Sequence, residues 1–246
     1  PLQPGEDAGD CVVTAAEVEW AGRFFVQDES SGVFVELIST NHPDPGDVVE
    51  VTGVTLPGAY APIITEPVWK KTGSAPLPPA RTVPIERIMS GVEDGQRVEV
   101  AGVVRAVAPD QADQNNVVLS LTAGGFRLPV GLTLPAGIEA ASLVGARVRV
   151  KGTVAATFNA TLRHMITVTL YVPQAADFVV EALEPGNPFD QPAVPLNSIA
   201  QYRRDLLPGQ RVHVQGVGTL QRAGEDFFID YSTCGLSVKS RQTTML

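Results

Sequence analysis

An octapeptide pattern, Gly-x-x-Val-x-Val-x-Gly, occurs four times along the chain. The copies read GDVVEVTG, GQRVEVAG, GARVRVKG and GQRVHVQG, and they begin at Gly46, Gly95, Gly145 and Gly209. In each copy apolar residues alternate with polar ones, which is the periodicity of a strand with one buried face. The closing glycine indicates a bulge or bend at that point in the strand. The pattern therefore predicts an all-β protein built from repeated modules.

Two further repeats complete the description of one module. FFVQDESSGVFVE begins at Phe24 and is similar to FFIDYSTCGLSVK, which begins at Phe227, and each predicts a β-hairpin with a polar turn. VPIERI from Val83 and VPLNSI from Val194 each precede a GQRV strand and have helical spacing. A module thus contains five strands and a short helical link, which is the inventory of an OB-type barrel.

The spacing of these repeats predicts three modules, at residues 1–83, 84–183 and 184–246. In the first module the segment GEDAGDCV, from Gly5, has Ala8 and Asp10 where valines are expected, so its first strand is predicted to be degraded or absent. The third module is predicted to be truncated after its hairpin. The fold prediction is therefore a tandem array of five-stranded OB-type barrels with short helical links and incomplete terminal barrels. Open barrel edges can add a strand from another chain, so self-association is expected there.

The charge balance limits the classes of partner. Lys and Arg total 18 against 27 Asp and Glu, which gives a net charge of −9. Nucleic-acid binding depends on cationic side chains that neutralise phosphates, so an acidic chain disfavours that function. No apolar run is long enough to span a membrane, so no membrane contact is expected. The chain begins at Pro1, and we interpret it as part of a longer protein.

The sequence contains no recognisable catalytic or metal-binding motif. Gly-x-Ser-x-Gly and His-Glu-x-x-His are both absent, and His42, His164 and His213 lack the spacing of metal ligands. Two cysteines, Cys11 and Cys234, do not make a disulfide framework, and whether they pair with each other stays open. We therefore expect no enzymatic activity, no metal and no cofactor.

Six residues of the first module are candidate ligand contacts. OB barrels commonly bind through the face of their second and third strands and the adjacent loops. That face would use Phe25 and Gln27, or the alternate set Phe24 and Val26, together with Phe34. The other candidates are Asp28 in the hairpin turn, Tyr60 in the loop after the fourth strand, and Trp69. Packing in the barrel core is the favoured alternative for the phenylalanines, and hydrogen bonding within the turn is the favoured alternative for Asp28.

Over nearly its whole length the chain resembles the extracytoplasmic region of certain bacterial sensor histidine kinases. The resemblance rests on VVTAAEVEWAGRFFVQDESSGVFVEL, GDVVEVTGVTLPGAYAPII, LPPARTVPIERIMSGVEDGQRVEVAGVV, TFNATLRHMITVTLYVPQAADFVV, NPFDQPAVPLNSIA and GVGTLQRAGEDFFIDYSTCGLSVKSRQTT. The hairpin is also similar to OB modules attached to secreted bacterial nucleases. The resemblance implies an all-β, periplasmic sensory region anchored through a larger protein, with no kinase activity in this part.

Two functional hypotheses follow. The first is a non-catalytic sensory region of a bacterial signalling receptor that binds a small ligand or a protein partner of unknown identity. The alternative is an OB-fold module that binds single-stranded nucleic acid or an oligosaccharide, which rests on the fold and on stacking by exposed aromatic rings.

Overall fold

A computed structural model describes most of the chain. It covers residues 11–16, 23–37, 39, 41–59, 61–111, 113, 115–159, 161–162, 164–183, 188–199, 212–231, 234–240 and 243–244. The chain divides into two compact units, Pro1–Leu183 and Glu184–Leu246. The first unit contains two barrels, whereas the predicted module boundary between residues 83 and 84 stays a prediction. No helix among the described residues is long and apolar enough to cross a bilayer.

The first barrel is a closed five-stranded OB barrel. Its strands are β1 (Cys11–Ala16), β2 (Phe24–Gln27), β3 (Gly32–Glu36), β4 (Asp47–Leu56) and β5 (Ile63–Ser74). They are ordered β1-β2-β3-β5-β4, and β4 pairs with β1 to close the barrel. β3 and β5 run parallel, and the other neighbours run antiparallel. This is the Greek-key order of the OB fold, so the predicted fold class is confirmed.

The first strand of the first barrel, which the sequence predicts to be degraded or absent, is present in the structure. Cys11–Ala16 forms this strand, and it pairs with β2 on one side and with β4 on the other. The segment lacks the Gly-x-x-Val signature, but Cys11 and Val13 lie in the core with at most 6% exposure, and after the register shift between Val13 and Ala15 it is Ala16 that packs against the core. A strand in a barrel wall needs apolar side chains on its inner face, and this segment supplies them on both sides of the bulge. The first barrel consequently has no open edge at which another strand could add.

The second barrel repeats the same topology. Its strands are β7 (Arg97–Pro109), β8 (Asn116–Ala123), β9 (Phe126–Thr133), β10 (Arg147–Asn159) and β11 (His164–Val172). They are ordered β10-β11-β9-β8-β7, with β10 pairing with β7 and β11 running parallel to β9. β6 (Arg81–Thr82) and β12 (Phe178–Ala182) extend the sheet at β7 and β10. A short helix, α1 (Ile85–Met89), buries Ile88 in the core, as the helical spacing of the link predicts. Two 3-10 helices lie at Ala140–Leu143 and Ala175–Asp177.

The glycines that end the repeat let neighbouring strands approach closely. A Cβ placed on Gly53 would lie 2.7 Å from the carbonyl oxygen of Thr65, and one on Gly102 would lie 2.6 Å from that of Thr122. The register between β4 and β5 shifts at Gly53, between Thr52 and Val54. The predicted bulge at the repeat glycine is therefore present in β4.

The second unit contains a three-stranded antiparallel sheet among its described residues. Its strands are β13 (Val217–Arg222), β14 (Asp226–Tyr231) and β15 (Cys234–Lys239), and the predicted hairpin forms β14 and β15. Helix α2 (Leu196–Ile199) and a 3-10 helix at Pro188–Asp190 precede the sheet. Ala193 pairs in parallel with His213, which repeats the pairing of β6 with β7. Three strands in this order correspond to the first three strands of an OB barrel.

One register shift is common to the three sheets. Strands β1, β7 and β13 each skip one residue opposite the strand that follows them, between Val13 and Ala15, between Val104 and Ala106, and between Gly218 and Leu220. A bulge at this position bends the strand so that it can take part in two sides of a barrel. The modules therefore share local geometry even where their sequences have diverged.

Backbone and buried side chains join the two barrels of the first unit. The carbonyl oxygen of Gly32 lies 2.9 Å from the position that a Cβ of Gly95 would occupy, so the two backbones pack without intervening side chains. The hydroxyl of Thr153 donates to the carbonyl oxygen of Thr14 at 3.1 Å. These contacts hold the outer face of the first barrel against the second.

Candidate functional site

Two aromatic rings lie on the outer face of the first barrel. Phe25 on β2 and Phe34 on β3 are directly opposed, and their ring centroids are 5.1 Å apart at 54°. Phe24 and Val26 belong to the core cluster of the first barrel, whereas Phe25 does not, although it too is only 4% exposed. Alternation along β2 therefore places Phe25, rather than Phe24, on the face that OB barrels use for binding.

A cleft of about 410 Å³ lies between this face and the second barrel. Its first wall comes from β2, β3 and the ends of the loops that precede β2 and follow β4. Its second wall comes from β10, β11 and the turn before β7. The lining residues are Arg23, Phe25, Phe34, Glu36, Ala59, Ala61, Ile63, Asp94, Ala155, Ala156, Thr157, Phe158 and Tyr171. The cleft thus combines the usual OB binding face of one barrel with aromatic rings from its neighbour.

Three charged side chains line the cleft. Arg23 and Glu36 form an ion pair of 3.5 Å at one end, where both side chains remain partly exposed. Asp94 lies across from them, and its Oδ1 accepts the backbone N–H of Ala156 at 2.8 Å. Burial raises the pKa of Asp94, and the backbone N–H groups of Ala156 and Gly95 partly offset this effect. The described part of the lining carries one cation and two carboxylates, so it has no excess of positive charge.

Gln27 lies at the junction between the two barrels and forms a hydrogen bond across it. Its side chain is 8% exposed, and its Oε1 accepts the backbone N–H of Arg97 at 3.0 Å. The Arg97 side chain is buried as well, where it donates to Asp177 at 2.6 Å and to the carbonyl oxygen of Pro78 at 2.9 Å. Gln27 does not line the cleft, and its predicted ligand contact stays a prediction.

Asp28 accepts hydrogen bonds from other residues of the turn in which it lies. Its Oδ1 accepts the backbone N–H groups of Ser30 and Ser31 at 2.7 and 2.8 Å and the hydroxyl of Ser30 at 2.7 Å. Partial burial opposes ionisation, but these hydrogen bonds outweigh it and hold the pKa of Asp28 below its ordinary value. The favoured sequence interpretation, a carboxylate that accepts hydrogen bonds within the turn, agrees with this geometry.

The two remaining candidates differ in position. Trp69 lies on β5 opposite Val51 and packs against the core of the first barrel, away from the cleft. Tyr60 lies outside the described residues, while its neighbours Ala59 and Ala61 line the cleft. The structure therefore brings together Phe25 and Phe34 from the predicted set and leaves Trp69 apart.

Sequence reasoning did not identify the residues that the second barrel contributes. Phe158 is the penultimate residue of β10, which begins in the third copy of the repeat, and Tyr171 lies on the neighbouring strand opposite Thr153. Asp94 precedes the glycine of the second copy. The Asp-Gly pair that opens this copy was the available signal for Asp94, but Phe158 and Tyr171 become site residues only through the packing of the two barrels.

The described residues contain no group of His, Cys, Asp and Glu side chains that could hold a metal ion. His42 and His213 each place a ring nitrogen near a backbone carbonyl oxygen, at 3.1 Å from Pro43 and 2.8 Å from Gln191. Cys11 and Cys234 are both thiols.

Comparisons with known proteins give only distant structural likenesses. No protein-family model and no curated protein matches the chain. The chain is similar to a murine DNA-binding protein bound to double-stranded DNA, with 12% identity, a TM-score of 0.32, and coverage of 73% of this chain and 100% of that one. An Ifi202 HINa domain in complex with DNA is similar at 10% identity and a TM-score of 0.30, covering 72% and 95% of the two chains.

An aspartyl tRNA synthetase from Entamoeba histolytica is similar at 17% identity and a TM-score of 0.31 over 43% of this chain. The match spans 22% of the synthetase. TM-scores near 0.3 carry no argument about function, and the OB assignment rests on the strand order of the two barrels.

Proposed function

We propose that the first unit is a non-catalytic binding module whose inter-barrel cleft holds an uncharged ligand with flat or puckered rings, and that an oligosaccharide is the class that fits best. The observation that carries this proposal is the position of the cleft. It lies on the outer β2–β3 face, where Phe25 and Phe34 face Phe158 and Tyr171. Oligosaccharides and oligonucleotides are the ligands that OB barrels bind at this face.

The charge of the cleft favours oligosaccharides over oligonucleotides as its ligands. A nucleic acid brings one phosphate per nucleotide, and its affinity depends on Lys and Arg side chains that displace counterions. Among the described residues that line the cleft, Arg23 is the one cation, and it is paired with Glu36. The whole chain carries a net charge of −9. An uncharged ligand avoids this repulsion.

The polar groups of the cleft suit hydroxyl-rich ligands. Ionised carboxylates such as Glu36 accept hydrogen bonds from hydroxyl groups, and the guanidinium of Arg23 donates them. The aromatic rings supply apolar surface against which the non-polar face of a sugar ring can pack. Rings with a few convergent polar groups are typical of small-molecule sites.

The proposal also covers the larger protein to which this chain would belong and where that protein would be located. Membership of a bacterial signalling receptor and an extracytoplasmic location are supported by the sequence resemblance alone. In that setting the cleft would be the sensory site of a larger protein. Fractionation of the source cells, followed by detection with an antibody against this chain, tests the location. Recovery only in the cytosolic fraction would contradict it.

The cleft itself is tested by ligand screening. The full chain would be screened against an array of neutral oligosaccharides, and hits would be titrated by calorimetry. Phe158→Ala should weaken binding by about tenfold, because loss of one stacked ring costs about 1–3 kcal/mol. Phe126→Ala is the matched control, since Phe126 belongs to the same barrel but does not line the cleft.

Labelled single-stranded oligonucleotides would be titrated in parallel at low and moderate salt. Micromolar oligonucleotide binding that weakens steeply with salt, without oligosaccharide binding, would overturn the proposal in favour of nucleic acid. Equal effects of Phe158→Ala and Phe126→Ala on oligosaccharide affinity would remove the cleft as the site.

A further inference from the structure

A second cavity, of about 700 Å³, opens at one end of the first barrel. Its walls are mainly apolar and are formed by Val26, Val33, Val51, Leu56 and Ile64, together with Cys11. Cys11, Val26 and Val51 also belong to the barrel core, with at most 6% exposure. The cavity therefore extends from the surface to the hydrophobic interior of the barrel.

This barrel-end cavity adjoins the inter-barrel cleft. Ala61, Ile63 and Asp94 line both spaces. The carboxylate of Asp28 also borders the cavity, but it is occupied by hydrogen bonds within its turn. The two spaces thus form one continuous surface with an aromatic, polar part and an apolar part.

We propose that the ligand of the cleft is amphipathic, with a sugar-like ring in the cleft and an alkyl or acyl chain in the barrel-end cavity. This inference rests on the proposed function and names the chemical class of its ligand. Water gains few hydrogen bonds from valine, leucine and isoleucine walls, so an apolar group can displace it favourably. Each buried methylene should raise affinity by about fourfold, before the cost of ordering the chain.

Cys11 provides a reporter inside the cavity. The residue is 6% exposed, and its thiol donates to the carbonyl oxygen of Val49 at 3.3 Å. In the full chain carrying Cys234→Ser, the rate of Cys11 alkylation by iodoacetamide would be measured with methyl β-D-glucoside, n-octyl β-D-glucoside and n-octanol, each below any micelle-forming concentration. The octyl glucoside should slow alkylation at concentrations at least about tenfold below those needed with octanol or the methyl glucoside, because it alone fills both spaces.

A charge at the cavity wall should remove the contribution of the chain. Leu56→Glu places a carboxylate at the cavity, whereas Val54→Glu places one on the same strand outside both spaces. The two side chains are comparably exposed, at 47% and 50%, so the substitutions should affect folding alike. Leu56→Glu should reduce the affinity for octyl glucoside to that for methyl glucoside, and Val54→Glu should leave both affinities unchanged.

The outcomes separate this inference from the proposed function. If methyl glucoside binds in a Phe158-dependent manner but the octyl chain adds no affinity, the amphipathic ligand is refuted while the cleft stands. If octyl glucoside protects Cys11 no better than octanol and no neutral oligosaccharide binds in the screen, the proposed function fails and the inference fails with it. Protection that rises with protein concentration in the absence of any probe would assign the cavity to a second copy of the chain instead.

Discussion

Gln27 illustrates how a buried amide can fix the arrangement of two modules. Its side-chain oxygen satisfies the backbone N–H of Arg97 at 3.0 Å. Gln27→Leu keeps the volume but leaves this N–H without its acceptor, which should lower the free energy of unfolding by about 1–3 kcal/mol. Gln96→Leu, which removes an exposed hydrogen bond to Ser31 across the same junction, should cost less than about 0.5 kcal/mol. Urea unfolding of both variants measures the difference, and equal losses would contradict the role assigned to Gln27.

Asp28 should make the stability of the protein depend on pH. Because the folded-state pKa lies below that of the unfolded chain, the charged carboxylate stabilises the fold above the unfolded pKa of about 3.9. This stabilisation is lost as the pH falls through the folded pKa. Asp28→Asn should therefore be less stable than the natural protein at neutral pH, and the difference should shrink as the pH falls below about 4. Glu29→Gln, at the adjacent exposed residue, provides the control, and a pH-independent difference for Asp28→Asn would argue against the prediction.

At the scale of the strands, the glycine that ends the repeat should be sensitive to substitution because the paired strand passes close to it. Gly53→Ala would bring a methyl group to 2.7 Å from the carbonyl oxygen of Thr65, so it should destabilise the barrel by about 1–3 kcal/mol. Gly73→Ala, on the paired strand β5, meets nothing closer than 4.0 Å. It should change stability by less than about 0.5 kcal/mol. Thermal unfolding of the pair distinguishes close strand approach from a general effect of replacing glycine in a strand.

The strands were largely predictable because period-two alternation and turn residues act locally. Val98 and Val100 of GQRVEVAG are buried as their spacing requires, and the hairpin at Phe24 forms β2 and β3. The first strand was missed because the search required the Gly-x-x-Val signature. Burial in a barrel wall requires only apolar side chains on the inner face, and Cys11, Val13 and, after the bulge, Ala16 provide them without that signature.

For the whole molecule, the buried pair of Arg97 and Asp177 should contribute strongly to the first unit. Their side chains are 4% and 6% exposed, and the atoms that pair are 2.6 Å apart. Asp177→Ala leaves the guanidinium buried without its counterion, which should cost about 3–5 kcal/mol. Glu50→Ala removes an exposed pair with Lys70 and should cost at most about 1 kcal/mol. Differential scanning calorimetry measures both variants, and a small effect of Asp177→Ala would mean that Arg97 finds another partner.

Only half of the candidate site could be predicted from the sequence, because the other half depends on how the two barrels pack against each other. Phe25 and Phe34 follow from the strand pattern and the general binding face of OB barrels. Phe158 and Tyr171 join them because the second barrel lies against the first, and no local pattern in the sequence encodes that docking. Gln27, with an equally suitable side chain, turned out to join the barrels instead.

The close packing of Gly32 against Gly95 affects how large a ligand the binding site of a related protein could accept. Neither residue lines the cleft, yet a side chain at either one would collide with the backbone of the other and wedge the barrels apart. Related proteins could thus widen their binding site by a single substitution at this junction while every aromatic residue in the site stays the same. At Gly95, which lines neither the cleft nor the barrel-end cavity, such a substitution would tune selectivity without touching the ligand.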